Sequence, residues 1–228
     1  MKIKTYLSLA VTVCLLTLTL PSQAQLVVYD NLGTAATAGY SEANANNPTF
    51  GDQLTLSQGG VLSSISASLF NSTSGGNTGS ILSGNMLIRI YDNTTAYTGG
   101  VIANNLLGSQ TVTWDFTGGG GLAAGFFSTE TFDFSGLNLT LPQNILITQT
   151  FTLTAGTSTR TGFVLFGNST SGSSPANVYI QSSSTAAGLY SFTGNPSQVG
   201  YTVQLVPEPS AFALAGLGAL GLLIRRRR

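Results

Sequence analysis

Period-two alternation of apolar and polar residues is the feature that most limits what this chain can form. It occurs in three stretches, at residues 61–69, 145–154 and 201–205. In the second stretch, isoleucines, Phe151 and Leu153 fall on one side of the pattern and threonines on the other. Because successive side chains of a strand point to opposite faces of a sheet, the alternation predicts half-buried β-strands.

Loops rich in glycine, serine and asparagine separate these strands from further candidates, at residues 71–79, 117–121 and 168–175. No helical periodicity continues for two turns between residues 25 and 206. The sequence therefore predicts an all-β fold, an antiparallel β-sandwich of jelly-roll type. The other candidate strands are residues 26–29, 52–56, 86–91, 107–116, 126–134, 162–166, 177–181 and 189–192.

The strands supply a large apolar core without disulfides. At about 1.5–3 kcal/mol for each large side chain that is fully buried, this core suffices for one stable domain. The expected inward-facing residues are Phe50, Leu54, Leu56, Ile65, Leu69, Met86, Ile88, Ile90, Val112, Trp114, Phe132, Phe134, Ile145, Ile147, Phe151, Phe163, Leu165, Tyr179, Tyr201 and Val203.

The N-terminal residues 1–24 have the three parts of a secretory signal peptide. Lys2 and Lys4 are followed by an apolar run at residues 7–20, which predicts a short helix, and then by small residues. We expect signal peptidase to cut between Ala24 and Gln25 and the protein to leave the cytoplasm.

The C-terminal residues 206–228 combine Pro207-Glu208-Pro209, an uncharged apolar run at 211–224 and the arginine cluster Arg225, Arg226, Arg227 and Arg228. The pattern predicts a transmembrane helix held by arginines on the cytoplasmic side. As a helix, residues 211–224 would be about 21 Å long, against a hydrocarbon core of about 30 Å. Ser210 and snorkelling arginines could make up part of the difference. The alternative, a buried amphipathic helix, is disfavoured because the run has no polar face.

This order of parts resembles the PEP-CTERM sorting signal of Gram-negative bacterial surface proteins. The resemblance implies that an exosortase, a membrane-bound cysteine protease-transpeptidase, recognises the tail and cuts near Pro207–Pro209. It also implies a precursor anchored in the inner membrane and a product at the cell surface or in the exopolysaccharide matrix. The expected domains are residues 1–24, 25–205 and 206–228.

Residues 28–33, 49–56 and 88–92, with sequences VYDNLG, TFGDQLTL and IRIYD, resemble exported "choice-of-anchor" β-domains. Such domains occur with PEP-CTERM tails or other surface anchors. The resemblance implies a surface-exposed all-β domain and transfers no active residues.

The residue types between 25 and 206 exclude several functions. Arg89 and Arg160 stand against seven acidic residues, a net charge of −5, so we expect no nucleic-acid partner. The chain has no histidine, its single cysteine, Cys14, lies in the signal peptide, and residues 25–206 contain no lysine. Triads based on histidine, Ser-Lys dyads and the usual zinc sites are therefore excluded.

Carboxylates remain as possible catalytic groups. Asp115, Glu130 and Asp133 could form the acid–base pair of a glycoside hydrolase, which needs two carboxyl groups about 5–10 Å apart. The simpler interpretation is that Asp115 ends a strand and Asp133 faces solvent. The site prediction is therefore that no residue is catalytic.

Calcium is a better metal candidate than zinc, because it binds through oxygen ligands alone. Asp30, Asp52 and Asp92 are candidate ligands near strand ends, but none has the spacing of an EF-hand loop. Aspartates at strand ends commonly form turns, so we expect no cofactor beyond a possible structural calcium.

Exposed aromatic rings could stack on sugars. The candidates are Trp114, Tyr91, Tyr97 and Tyr190, with Trp114 and Tyr97 the two to test. Trp114 shares its side of the strand pattern with Val112, which favours a core position for the indole instead.

The expected function is that of an exported, non-catalytic protein of the cell surface or exopolysaccharide matrix, processed by signal peptidase and an exosortase. The first alternative is a carbohydrate-binding module for matrix polysaccharide. The second is a glycoside hydrolase.

Overall fold

A computed structural model describes residues 25–95, 97–102, 105–192 and 198–207. The expected signal peptide (1–24) and the tail beyond Pro207, with its apolar run at 211–224, lie outside the described residues. Within the described ranges, no helix is long and apolar enough to cross a membrane. Residues Val27–Val206 form one compact unit.

Fourteen strands account for the regular structure of the described residues, joined by 3-10 turns at Asn44–Asn46, Ser74–Gly76, Thr117–Gly119 and Ser135–Leu137. In chain order, the strands are β1 Leu26–Asp30, β2 Ala36–Ala43, β3 Thr49–Thr55, β4 Gly60–Asn71, β5 Ile81–Asp92, β6 Leu106–Asp115, β7 Phe127–Asp133, β8 Thr140–Leu141, β9 Asn144–Gly156, β10 Arg160–Phe166, β11 Val178–Gln181, β12 Gly188–Tyr190, β13 Gln198–Val199 and β14 Tyr201–Leu205.

The strands form two antiparallel sheets. The first sheet has the order β1-β14-β4-β10-β13, with β2 paired to β10 and both β7 and β8 paired to β4. The second sheet has the order β12-β11-β3-β9-β5-β6. The predicted all-β antiparallel fold is confirmed.

A single apolar cluster draws side chains from both sheets, for example Phe50 and Ile147 from the second and Ile65 and Val203 from the first. Of the core residues predicted from sequence, all are buried except Val112, which is half-buried against the cluster. The alternation at 201–205 is also confirmed, because Tyr201, Val203 and Leu205 are buried while the residues between them are half-exposed.

Strands β4 and β9 are buried on both faces over much of their length, so the prediction of half-buried strands is wrong there. In β9, Leu146 and Thr148 face away from the core, yet they are only 1 % and 2 % exposed. The connection between β5 and β6 lies over this outer face, and Leu146 lines the cleft between them. In β4, small serines lie between larger neighbours, and Ser66 hydrogen-bonds to Thr131 at 2.6 Å.

Strand β2 was not predicted, because its sequence ATAGYSEA is poor in strong strand formers. It pairs with β10 along its length, from Ala36 opposite Phe166 to Ala43 opposite Arg160. This strand places Tyr40 and Glu42 on the inner side of the first sheet, where Tyr40 packs against Phe50 and Phe163.

Candidate functional site

A cleft lies where β5 ends and the long connection to β6 folds back over the second sheet. The connection runs over residues 93–105 and closes at its base, where the amide of Asp92 donates to the carbonyl of Asn105 at 2.8 Å. The amide of Asn93 donates to the carbonyl of Asn144 at 3.1 Å, which ties the connection to the start of β9. Hydrogen bonds with β5 and β9 therefore fix both ends of the connection.

Tyr97 anchors the middle of the connection. Its amide donates to Oδ1 of Asn93 at 2.8 Å, and its carbonyl accepts from Nε2 of Gln53 on β3 at 3.0 Å. Its ring meets Tyr179 of β11 edge to face, with centroids 5.6 Å apart and an interplanar angle of 72°. Its hydroxyl donates to the carbonyl of Gly100. Burial, together with nearby Tyr190, raises the pKa of Tyr97.

The space beneath this connection, here called the Tyr97 cleft, has a volume of about 230 Å³. Two tyrosine rings and several amide and hydroxyl groups surround it, and its described lining contains one charged side chain, Asp92. The lining residues are Tyr91, Asp92, Asn93, Thr95, Tyr97, Thr98, Gly99, Val101, Ile102, Asn105 and Leu146.

Of the aromatic candidates, Tyr91 and Tyr97 line this cleft, whereas Trp114 and Tyr190 do not. Trp114 is fully buried between Phe116 and Phe132, so it offers no ring face to a sugar. Its indole nitrogen has no hydrogen-bond partner among the described residues. Tyr190 is half-buried against the core.

The three calcium candidates are each engaged with hydroxyl or amide groups. Asp30 accepts from Thr202 at 2.6 Å, Asp92 accepts from the amide of Thr94 at 2.8 Å, and Asp52 accepts from Ser174 at 2.7 Å. In the described ranges, no three acidic, histidine or cysteine side chains lie close enough together to hold a metal ion.

Asp115 and Asp133 cap turns at the ends of β6 and β7. Oδ1 of Asp115 accepts from the hydroxyl and amide of Thr117 at 2.6 and 2.9 Å, and Oδ1 of Asp133 accepts from the amide of Ser135 at 2.9 Å. Hydrogen bonds from Thr117 and Ser135 lower the pKa of these exposed carboxyls. A general acid needs the opposite shift. Glu130 is half-exposed on β7.

The structure also shows two buried carboxylates whose role was not foreseen. Glu42 is 5 % exposed and accepts from Tyr40 at 3.1 Å, from Ser184 at 3.0 Å and from Thr185. Burial opposes ionisation of this group, but the hydroxyl donors outweigh burial and lower its pKa. Asp52 is fully buried, and burial raises its pKa well above the usual range.

Sequence reasoning also missed Asn105, Thr95 and Thr98 of the cleft. The signal that was available is the length of the connection between β5 and β6, residues 93–105. Hairpin connections usually have about two to five residues, and longer ones are often binding loops.

Of the expected processing residues, Gln25 and Pro207 are described, and Pro207 follows β14 by two residues. Ala24, Glu208, Pro209 and the four arginines lie outside the described residues.

Comparisons with solved structures give weak similarities only. A structure described as "CBM4 structure and function" is 16% identical, with 56% of this chain and 61% of that chain covered and a TM-score of 0.22. A structure of the infectious bursal disease virus Gx strain is 14% identical in sequence, with 80% of this chain and 36% of that chain covered and a TM-score of 0.28. The VP2 subviral particle of that virus is 13% identical, with 90% and 50% covered and a TM-score of 0.28.

The chain thus covers 61% or less of each of these structures. Similarities this weak support neither a shared fold nor a shared ligand. No curated protein matches the chain.

The C-terminal end gives a definite match. The family model of the PEP-CTERM protein-sorting motif matches residues 205–228, which include the Pro-Glu-Pro sequence, the apolar run and the arginines. Such a motif implies an exported protein that is anchored to the membrane and then processed by an exosortase. The chain therefore carries a PEP-CTERM protein-sorting motif at its C-terminal end.

Proposed function

We propose that this protein is a non-catalytic component of the cell surface or the exopolysaccharide matrix. The single observation that carries the proposal is the sorting motif at residues 205–228. Signal peptidase would release the chain at Ala24–Gln25, and residues 211–224 would hold the precursor in the inner membrane. An exosortase cut near Pro207–Pro209 would then remove the arginine cluster and leave an acidic β-domain.

The absence of a catalytic role is supported by residue chemistry. The sequence from 25 to 206 has no histidine, cysteine or lysine, which removes the usual nucleophile activators. Asp115 and Asp133 are exposed carboxyls with lowered pKa, engaged in capping their own turns.

The proposal is tested by intact mass measurement of the protein in membrane and extracellular fractions of its host. We expect a product that begins at Gln25, ends near Val206–Pro209 and lies outside the inner membrane. Replacing Pro207, Glu208 and Pro209 by alanine should leave an uncut precursor in the membrane, whereas the control Pro142→Ala should be processed normally. Normal processing of the triple variant would contradict the sorting proposal.

The second candidate function is recognition of a matrix polysaccharide, and the Tyr97 cleft is the observation that favours it. Tyrosine rings beside amides and hydroxyls suit a ligand with apolar ring faces and polar edges. Sedimentation of the protein with exopolysaccharide from its own host tests this candidate. Saturable co-sedimentation is expected, and recovery of all the protein in the supernatant would contradict it.

A further inference from the structure

We infer that the Tyr97 cleft binds one ring of an uncharged glycan, with the ring stacked on Tyr97. This inference rests on the second candidate function above and adds the binding site and the class of ligand. Three properties of the cleft support it: the fixed position of Tyr97, the polar groups that the loop leaves free, and the charge and size of the space.

Tyr97 is held in place before any ligand arrives. Its backbone bonds to Asn93 and Gln53, its ring lies against Tyr179, and its hydroxyl donates to Gly100. The side chain nevertheless stays half-exposed at the cleft. A tyrosine fixed in this way offers a large, amphipathic contact area and loses little conformational entropy on binding.

The polar lining divides into groups that hold the loop and groups that remain free. Oδ1 of Asp92 and Oδ1 of Asn93 accept from loop amides and so shape the cleft. The side chains of Thr95, Thr98 and Asn105 are exposed and make no hydrogen bond within the described residues. Hydroxyl and amide groups both donate and accept, which matches the hydroxyls of a sugar.

Charge and size narrow the class of ligand. Asp92 is the one charged side chain in the described lining, and residues 25–206 carry a net charge of −5. An acidic or sulfated glycan would therefore be repelled and would find no basic partner in that lining. The volume of about 230 Å³ lies below the about 300–1,000 Å³ of sites for drug-sized ligands, so the cleft suits one ring of a longer chain.

The test is calorimetric titration of the full-length chain, solubilised in a detergent without a sugar headgroup. The probes are hexasaccharides of glucose, mannose and N-acetylglucosamine, with an oligouronate as the acidic probe. The variants are Tyr97→Ala, Tyr97→Phe and Asn105→Ala, and Phe127→Ala serves as a matched control because this aromatic ring is 44 % exposed on the other sheet. Fluorescence of the single tryptophan, Trp114, reports whether each variant keeps its fold.

We expect at least one neutral probe to bind, with Kd about tenfold higher in Tyr97→Ala, a change of about 1.4 kcal/mol. Tyr97→Phe keeps the ring and should stay within about threefold of the parent, as should Phe127→Ala. Asn105→Ala should weaken binding. Unchanged fluorescence of Trp114 in this variant would indicate that β6 keeps its structure, so that the loss of affinity comes from the missing amide.

Three results would overturn the inference in different ways. Neutral glycan binding that is unchanged in both Tyr97→Ala and Asn105→Ala would show that the Tyr97 cleft is not the binding site. It would not contradict the carbohydrate-binding function itself. Tighter binding of the oligouronate removes the assigned ligand class. Failure of every probe, together with no co-sedimentation with the host polysaccharide, removes both the site and the function.

Discussion

Oδ2 of Asp52 accepts a hydrogen bond from the amide of Val199 at 2.9 Å, which joins β3 of one sheet to β13 of the other. Oδ1 accepts from the hydroxyl of Ser174 at 2.7 Å. The carbonyl of Pro175 lies 3.1 Å from the same hydroxyl, so a protonated Asp52 can donate to Ser174 while Ser174 donates to Pro175. The link between the sheets therefore tolerates a neutral carboxyl.

The first prediction concerns the pH dependence that Asp52 imposes. Burial raises its pKa in the folded state despite hydrogen bonds from Ser174, Val199 and Gln53, whereas an unfolded aspartate titrates near about 3.9. Above that pH the unfolded state loses a proton that the folded state keeps, so folding becomes less favourable as pH rises. The contribution of Asp52 to stability is therefore greatest at low pH.

Relative to Asp52→Asn, the parent should lose up to about 1.4 kcal/mol of unfolding free energy per pH unit above about pH 4, until the folded pKa is reached. Urea unfolding at several pH values between 3.5 and 7 measures this difference. A difference between parent and variant that does not change with pH would contradict the prediction.

Glu42 should act in the opposite direction. Its lowered pKa means that its stabilising effect is present above the unfolded value of about 4.3 and is lost as pH falls through the folded pKa. Glu42→Gln should cost about 1–2 kcal/mol at pH 7, because the bonds from Ser184, Thr185 and Tyr40 lose a charged acceptor.

The loss of unfolding free energy in Glu42→Gln should become smaller in acid. Amide hydrogen exchange at residues 182–185 should be faster in this variant than in the parent at pH 7. Glu130→Gln, at a half-exposed position of β7, is the control and should leave exchange at 182–185 unchanged. Equal stability of Glu42→Gln and the parent at pH 7 would refute the assigned role.

A third prediction concerns the buried side chain of Asn71. Its Nδ2 donates to the carbonyls of Gly79 and Leu122 at 2.9 and 2.7 Å, and its Oδ1 accepts from Asn77 and Ser158 at 3.0 and 2.8 Å. Asn71→Ala removes all four of these hydrogen bonds, so we expect a loss of about 3 kcal/mol or more. Denaturant unfolding followed by Trp114 fluorescence gives the value.

The control for Asn71→Ala is Asn168→Ala, because Asn168 is exposed. That substitution should change stability by less than about 0.5 kcal/mol. Similar losses in the two asparagine variants would mean that the buried hydrogen bonds of Asn71 contribute little.

The fourth prediction tests the close pairing of β2 and β10 at Gly162. A Cβ at this position would lie 1.8 Å from the carbonyl oxygen of Tyr40 and 2.7 Å from Cα of Ser41. Backbone must therefore move in Gly162→Ala, and we expect a loss of about 3 kcal/mol or more. Thermal unfolding of Gly162→Ala beside Gly136→Ala, whose Cβ meets nothing within 4 Å, separates this clash from a general effect of losing glycine.

The sequence predicted a strand's burial correctly where one face is buried and the other is not, because apolar and polar residues then alternate along the strand. Strand β14 has one buried face, and its pattern was clear in the sequence. The double burial of β9 could not be predicted, because the connection at 93–105 that covers Leu146 is distant in sequence. Strand β2 exists through its pairing with β10 rather than through its own propensity.

The types of side chain at the candidate site could be predicted from the sequence, but their exposure and relative positions could not. Tyr91 and Tyr97 line the cleft, whereas Trp114, whose ring could equally stack on a sugar, is buried, as its alternation with Val112 indicates. Fully buried Asp52 likewise looked like a ligand at a strand end. Side-chain type alone does not distinguish a surface aspartate from one between two sheets, since neighbours far along the chain decide its exposure.

Strand β14 lies between β1 and β4, and its last residue, Leu205, is also the first residue of the sorting-motif match. An extended chain spans at most about 3.6 Å per residue, so Pro207 lies within about 7 Å of Leu205. An exosortase that cuts at Pro207–Pro209 must therefore work beside a finished sheet or arrive before β14 has paired. Pairing of β14 with β4 and cutting of the tail thus act on adjoining residues, because the motif match begins inside the strand.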